Sequence, residues 1–277
     1  MLALASSRAP VGETMRRKIP TGLIGMIHLK ALPGSPGFTG DLDAVESSAL
    51  ADASTLLAGG VDAILVENFG DVPFHKTVDA VTIAAMTRIV RAIVELSDVP
   101  VGVNVLRNDA HAALSIASVT GAAFIRVNVH IGAMVTDQGL IEGQAAETLR
   151  LRDSLDSTVA ILADVGVKHA TAFDEKWSLE QEAKDAWNRG LADALILSGS
   201  GTGAPTNAVD LERVNHAVPE APLIVGSGVN CETIPHFSLA SGWIVGTALK
   251  RDGAIENEVE LAQVLRLTDA NRSTGNC

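Results

Sequence analysis

Three features are scarce in this 277-residue sequence: cysteine, basic residues and long uninterrupted apolar runs. Its two cysteines, Cys231 and Cys277, exclude a disulfide scaffold and fit a reducing, cytoplasmic compartment. With 21 Lys and Arg against 33 Asp and Glu, the formal net charge of −12 excludes a general nucleic-acid-binding protein, which needs a basic face. No apolar run reaches the ~20 residues that cross a bilayer, so the sequence predicts a soluble protein without a transmembrane segment.

The amino-terminal stretch is the one part with a basic excess, because four Lys and Arg residues accompany a single acidic residue, Glu13. We interpret residues 1–20 as a flexible tail, and import into a mitochondrion or plastid is the alternative, since transit peptides share this character. We assign residues 21–270 to one folded domain and residues 271–277 to a disordered carboxyl-terminal tail.

Short apolar runs, by contrast, are abundant, and 47% of the residues are hydrophobic. Each run is too short for a helix and is typical of a strand that is buried on both faces. Eight such runs alternate with helical segments, which predicts an α/β protein with a single closed (β/α)8 barrel, or TIM barrel. The runs begin near residues 23, 62, 100, 123, 159, 193, 222 and 243.

Capping signals predict where several helices begin. Asp43, Thr77, Asp109 and Ser178 are each expected to open a helix, because short polar side chains accept hydrogen bonds from the first turn. Further helices are predicted over residues 142–155 and 256–267.

Glycine-bearing turns follow the last three apolar runs, over residues 198–203, 226–230 and 246–250. Glycines let backbone N–H groups surround a polyanion, and the turns after strands seven and eight form the usual phosphate site of this barrel. The sequence therefore predicts a phosphate-binding cup. Its predicted members are Gly201, Gly203, Gly226, Ser227, Gly228, Gly246 and Thr247.

Polar side chains end the other strands, at the edge of the barrel where active sites form. We predict Glu67 as the general base and His28 as the proton donor, with Asn104 beside them. Arg126 offers a planar fork to a carboxylate or second phosphate, or pairs with Glu67 or Asp164. No cofactor is certain, and Mg²⁺ held by His28, Glu67 and Asp164 is the alternative left open. Zinc is disfavoured because no H-x-x-x-H or C-x-x-C spacing occurs.

The segment of residues 128–141 is long for a connection between a strand and a helix, and it is polar and dotted with glycines. We predict that it is a lid, with Gly132 and Gly139 as hinges. Its ligand contacts are predicted to be His130, Asp137 and Gln138.

Several motifs resemble those of the BtpA family (the BtpA/SgcQ group). They lie at residues 28–36, 62–74, 102–109, 126–143, 198–203, 226–230 and 244–250. The resemblance implies a phosphate-binding TIM barrel, and it also implies the family's role in photosystem I biogenesis at the cyanobacterial thylakoid. One departure is Ser241, where family members commonly carry an acidic residue at what should be the bottom of the barrel.

Two functions remain open at this point. The first is an enzyme that performs acid/base chemistry, such as isomerisation, lyase-type cleavage or glycosidic cleavage, on a phosphorylated sugar or nucleotide. The second is a non-catalytic assembly factor for a membrane complex. Charged groups inside a barrel mouth are costly to desolvate and favour the enzyme. We expect a phosphorylated small molecule as ligand, and a homo-oligomer.

Overall fold

The computed structural model describes residues 17–174, 176–199 and 206–273. Within these ranges the chain forms eleven strands and seven α-helices. The strands are β1 (Gly22–His28), β2 (Ala63–Glu67), β3 (Val101–Asn104), β4 (Phe124–Val127), β5 (Ala133–Thr136), β6 (Gly139–Glu142), β7 (Ala160–Val165), β8 (Ala170–Ala172), β9 (Ala194–Leu197), β10 (Leu223–Val225) and β11 (Gly242–Val245). The helices are α1 (Leu42–Ala58), α2 (Ala80–Leu96), α3 (Ala110–Thr120), α4 (Ala145–Ser154), α5 (Leu179–Asn188), α6 (Ala208–Ala217) and α7 (Leu261–Ser273).

Eight of the strands form a closed parallel barrel, in the order β1-β11-β10-β9-β7-β4-β3-β2. The first and last strands pair with each other, with Gly25 opposite Val245. On its other side β1 pairs with β2, so that His28 lies opposite Glu67 at the carboxyl end. The predicted single (β/α)8 barrel is confirmed, and its predicted seventh and eighth strands are β10 and β11.

Two apolar clusters stabilise this barrel. Inside it, side chains such as Leu65, Phe124 and Leu162 fill the interior. Gly102 makes room for Phe124, because a Cβ atom at residue 102 would lie only 2.2 Å from the aromatic ring. The larger cluster lies between the outer faces of the strands and the surrounding helices. Because these side chains pack the interior, the barrel leaves room for a ligand at the carboxyl ends of its strands.

Two of the four predicted helix starts are confirmed. Asp109 and Ser178 are the N-caps of α3 and α5, and each side chain accepts a hydrogen bond from the first turn. The other two are wrong. Asp41 rather than Asp43 caps α1, and α2 begins after Asp79 rather than at Thr77.

Residues 75–78 cannot join α2 because the loop after β3 holds them. The backbone N–H of Arg107 donates to the carbonyl of His75, and that of Val78 donates to the Asp109 carboxylate. Two other predicted boundaries also differ: α4 begins at Ala145, because β6 extends to Glu142, and α7 covers residues 261–273 rather than 256–267.

The segment of residues 128–141 is not an irregular loop. It contains the β5–β6 hairpin, whose first strand also pairs with β8 in a three-stranded antiparallel sheet beside the barrel. This sheet packs on its own small apolar cluster, which includes Met134, Ile141 and Val167.

Contacts at both ends of the described chain reach past the expected domain limits of residues 21 and 270. The backbone N–H of Arg17 donates to the Asp193 carboxylate at 3.0 Å, and Ile19 packs on the barrel interior. At the other end, α7 continues to Ser273, and Asn271 is buried. No helix among the described residues is long and apolar enough to cross a membrane.

Candidate active site at the carboxyl ends of the barrel strands

A cavity of about 720 Å³ opens at the carboxyl ends of the barrel strands. Its wall combines the glycine turns after β10 and β11 with charged side chains at the ends of β2 and β4 and after β7. The predicted site residues that line it are His28, Glu67, Arg126, Asp137, Gly226, Ser227, Gly228, Gly246 and Thr247. The barrel therefore brings most of the predicted catalytic and phosphate-binding residues into one space.

Glu67 is the buried carboxyl group in this wall. Its Oε2 atom accepts a hydrogen bond of 2.8 Å from Nδ2 of Asn104, the residue opposite it on β3. Burial raises the pKa of Glu67 above its usual range, and the Asp164 charge adds to this effect, whereas Arg126 opposes it. Asn104 does not line the cavity, so it positions Glu67 from behind.

His28 ends β1 beside Glu67, with Nε2 of the imidazole 4.0 Å from Oε1 of the carboxyl group. The ring also packs on Phe69 at a centroid distance of 4.8 Å. Burial, followed by the positive charges of Lys250 and Lys168, lowers the pKa of His28 to about 3. His28 is thus neutral near pH 7, and a charged imidazolium is not available as the predicted proton donor.

Arg126 is engaged by a buried carboxylate, which is one of the alternatives left open by the sequence. Its Nε and a terminal nitrogen donate to the two oxygens of Asp164, both at 2.9 Å. Asn128 donates a third hydrogen bond to the same carboxylate, at 3.0 Å. The Asp164 side chain is fully buried, so it fixes the orientation of Arg126 and does not reach the cavity.

Two further cations line the cavity and were not among the predicted catalytic residues. Lys168 follows β7 and Arg107 follows β3. Burial and then the positive charge of Arg126 lower the pKa of Lys168. The position of Lys168 after a barrel strand could have identified it, but Arg107 lies in a loop whose path the sequence does not specify.

The turn over residues 226–230 has the properties expected of an anion cup. Gly228 adopts a positive φ of 66°, in the region that favours glycine. The N–H groups of Gly228 and Val229 donate to no acceptor among the described residues, and both residues line the cavity. Gly246 faces His28, because a Cβ atom there would lie 2.7 Å from the imidazole. Gly201 and Gly203 lie outside the described residues.

The three residues predicted as lid contacts do not lie together in the structure. His130 is buried away from the cavity, where its Nε2 lies 2.8 Å from the carbonyl oxygen of Gly190. His130 does not line the cavity, so the predicted ligand contact at this residue is not formed in the structure. Asp137 and Gln138 form the turn of the hairpin, and of the three only Asp137 lines the cavity.

The residues suggested for Mg²⁺ do not converge on a metal site. Across residues 17–174, 176–199 and 206–273, no three His, Cys, Asp or Glu side chains are grouped to hold a metal ion. Asp164 is committed to Arg126 and Asn128, while His28 and Glu67 contribute only two ligands. The geometry does not fit the metal alternative.

The barrel resembles solved structures of low sequence identity. Native KDPGal superposes with a TM-score of 0.59 at 15% identity, over 95% of this chain and 100% of that one. KGPDC from Streptococcus mutans gives a TM-score of 0.55, at 14% identity over 93% of this chain and 100% of that one. At such identities these likenesses show the fold alone.

Closer similarity appears in sequence comparisons. The chain is 49% identical over 250 residues to the photosystem I biogenesis protein BtpA of Synechocystis sp., covering 90% of this chain and 87% of that protein. It is 48% identical over 248 residues to an uncharacterised protein of Thermococcus kodakarensis, covering 89% of this chain and 94% of that protein. A model described as the BtpA family matches residues 20–273. The chain therefore belongs to the BtpA family, as its motifs predict.

Proposed function

We propose that this protein is an enzyme that binds a phosphorylated sugar or nucleotide across the barrel mouth and uses Glu67 to accept a proton from it. The observation that carries the proposal is that a buried carboxyl group of raised pKa and the glycine-rich turns after β10 and β11 line one cavity. A carboxylate of raised pKa is the stronger base, and a cup at this place in the barrel suits a phosphate.

In this proposal the phosphate accepts hydrogen bonds from the N–H groups of Gly228 and Val229, while the hydroxyls of Ser227 and Thr247 assist. The carbon skeleton then extends over Glu67 and His28 on the neighbouring part of the wall. Holding the phosphate at one end keeps the reacting carbon close to the base, which lowers the entropic cost of proton transfer.

Glu67 takes a proton from the substrate, and Asn104 keeps the carboxylate in place during the transfer. Neutral His28 donates a hydrogen bond from a ring N–H to the substrate oxygen on which negative charge develops. This division of roles suits isomerisation or retro-aldol cleavage next to a carbonyl group, since both begin with a proton transfer to a base. Glycosidic cleavage is the alternative within the same site.

The hairpin turn at Asp137 and Gln138 is the remaining part of the predicted lid. We propose that this turn contacts the bound ligand from the solvent side, because Asp137 lines the cavity and Gly139, which follows the turn, has a positive φ of 87°. The paired strands behind the turn restrict any movement to the turn or to the hairpin as a whole.

The second candidate is a non-catalytic factor in the assembly of a membrane complex. One observation favours it, the name of the Synechocystis relative as a photosystem I biogenesis protein. The buried charges of Glu67, Arg126 and Lys168 argue against it, because a scaffold gains nothing from desolvating them in an open cavity.

The test is a ligand and turnover screen with pairs of sugars or nucleosides and their phosphate esters. We expect phosphate esters to bind measurably by calorimetry where the dephosphorylated partners do not, and at least one ester to be converted. Binding by no ester in the panel would contradict the proposal. Binding without turnover of any ester would favour the assembly factor.

A further inference from the structure

Arg107 and Lys168 form a pair of cations on the wall of the cavity opposite the glycine turns. Arg107 lies after β3 and Lys168 after β7, the two strands that flank β4 in the barrel. In the ring of eight strands, β4 lies four positions from β11 in either direction, directly across the mouth. The cation pair therefore faces the anion cup from the far side of the cavity.

The Arg107 side chain contacts the backbone of Lys168 directly. One terminal nitrogen of Arg107 donates a hydrogen bond of 2.8 Å to the backbone carbonyl of Lys168. Arg107 is 6% exposed, which fixes its guanidinium group on the cavity wall. This contact joins the loops after β3 and β7.

Both cations have N–H donors that meet no acceptor among the described residues. The Lys168 ammonium has no hydrogen-bond or ion-pair partner among the described residues, and the only acceptor there for the Arg107 side chain is the Lys168 carbonyl. Arg126 differs, because Asp164 occupies it with two hydrogen bonds. A buried or half-buried cation without a partner is costly, so these donors are arranged for a group that the protein itself does not supply.

We infer that Arg107 and Lys168 bind a second anionic group of the substrate, a carboxylate or a second phosphate, while the glycine turns bind the first. The inference rests on the proposed function, because it identifies the residues that bind the other end of the same ligand. Its substrate class is a short sugar acid phosphate or a sugar bisphosphate that spans the mouth, with the reacting carbon between the ends and over Glu67.

The charges of the cavity agree with a ligand that carries two anions. Asp164 neutralises Arg126, and Glu67 contributes one negative charge against the two positive charges of Arg107 and Lys168. Asp137 contributes a negative charge from the exposed hairpin turn, where solvent screens it. Arg107 and Lys168 therefore leave this wall positive despite the acidic composition of the chain, and a bound anion would raise the lowered pKa of Lys168.

Matched probes separate this inference from the proposed function. Sorbitol 6-phosphate carries one anion, 6-phosphogluconate carries the same phosphate and a carboxylate, and sorbitol 1,6-bisphosphate carries two phosphates. Erythritol 4-phosphate and 4-phosphoerythronate repeat the comparison with a shorter chain. Calorimetry would measure each probe with the wild-type protein, Lys168→Met, Arg107→Gln and the control Lys184→Met, which alters an exposed lysine on α5.

We expect a dianionic probe to bind the wild type and Lys184→Met about tenfold to hundredfold more tightly than its monophosphate, as one charge-assisted contact allows. Lys168→Met and Arg107→Gln should lose most of this preference and keep their affinity for the monophosphate. Comparing the two dianions then distinguishes a carboxylate from a phosphate.

Equal affinity for mono- and dianionic probes in the wild type would overturn the inference and leave the proposed function standing. The inference would also be overturned if Lys168→Met kept the preference for dianionic over monoanionic probes. Residue 168 is half-buried, so a methionine there does not threaten folding. If no probe binds at all, the inference fails, and the wider panel of sugar and nucleoside phosphates decides the proposed function.

Discussion

Glu67 acquires its chemical character from the side chains that surround it. Asn104 donates to one carboxyl oxygen, and burial raises the pKa of the group. Neither effect can be read from the sequence around Glu67, which predicts only that an acidic residue ends β2. Its partner on β3 is visible only when the register of the two strands is known.

Replacing Glu67 by glutamine keeps the size of the side chain and an oxygen that can accept from Asn104, but it removes the base. We expect kcat to fall by ~10²–10⁴-fold, the usual contribution of general acid–base catalysis, with KM nearly unchanged. Steady-state kinetics on a phosphate ester found in the screen would measure this. Glu95→Gln, at an exposed position on α2, is the control and should keep full activity. Full turnover in Glu67→Gln would remove Glu67 from the mechanism.

The pH dependence of kcat/KM tests the same assignment independently. Because the pKa of Glu67 is raised, activity should increase with pH through a limb above the ordinary range of a glutamic acid. His28, with a pKa of about 3, should add no limb between about pH 5 and 8. The limb should persist in His28→Asn. Substrate phosphates also titrate near pH ~6, so a limb that survives in Glu67→Gln belongs to the substrate and not to Glu67.

Other single residues show what a sequence pattern leaves undecided. Arg126 and Asp164 were predicted as polar strand ends, and the alternative in which they pair with each other is the one observed. His130 was placed in a lid because it follows β4, but the hairpin folds over it and leaves it buried. Patterns locate a residue at the mouth of the barrel, whereas contacts decide whether it faces the cavity.

The β5–β6 hairpin is the element that the sequence pattern does not predict. Its strands are only four residues each and lack a strong turn signal such as Asn-Gly, since the turn is Asp137-Gln138 followed by Gly139. The third strand of this sheet, β8, begins only at Ala170, far from the hairpin in the chain. No short stretch of sequence predicts pairing between such distant strands. Each parallel strand of the barrel, by contrast, is predicted by its own apolar run.

The turn after β10 carries the most specific conformational requirement of the site. Gly228→Val would place a β-branched residue at a φ of 66°, which costs roughly 1–2 kcal/mol, and it would displace the N–H groups of the cup. We expect phosphate-ester binding to be lost while the barrel stays folded. Calorimetry and thermal unfolding would measure the two effects.

A matched control exists at Gly40, which has a φ of 91° and open space, with no atom within 4 Å of the point that a Cβ atom would occupy. Gly40→Val imposes comparable backbone strain before α1, so it should lower stability to a similar extent and leave binding intact. Unchanged binding in Gly228→Val, or equal loss of binding in both variants, would contradict the cup.

The overall barrel fold is the feature that the sequence predicts best. Eight apolar runs correspond to eight parallel strands, since burial on both faces leaves a periodic signal that does not depend on detailed contacts. Closure is supported at the amino end by the backbone, where Gly22 N–H donates to the carbonyl of Ser241. A serine at that position is compatible with closure, because this contact uses no side chain.

Closure at the carboxyl end involves a buried ion pair that links distant parts of the chain. Lys250, just after β11, lies 2.7 Å from the carboxylate of Asp52 on α1, and both side chains are buried. The other oxygen of Asp52 accepts from the N–H of Val259. Lys250 also contributes to the lowered pKa of His28, so the pair connects the stability of the barrel to its mouth.

Lys250→Met should leave Asp52 as an uncompensated buried charge and lower the free energy of unfolding by roughly 3–5 kcal/mol. The double variant Lys250→Met/Asp52→Asn should recover part of this loss, because asparagine is neutral and can still accept from Val259. Urea denaturation would measure both, with Lys30→Met, at an exposed position, expected to stay within about 0.5 kcal/mol of the wild type.

Lys250→Met should also change a property of the candidate active site, the pKa of His28. Removing the positive charge of Lys250 should raise the pKa of His28 from about 3 towards its ordinary value, although burial, the larger cause, keeps it below that value. An NMR titration of the imidazole would follow this shift. Unchanged stability in Lys250→Met, together with an unmoved His28 pKa, would show that the pair neither stabilises the closed barrel nor acts on the candidate active site.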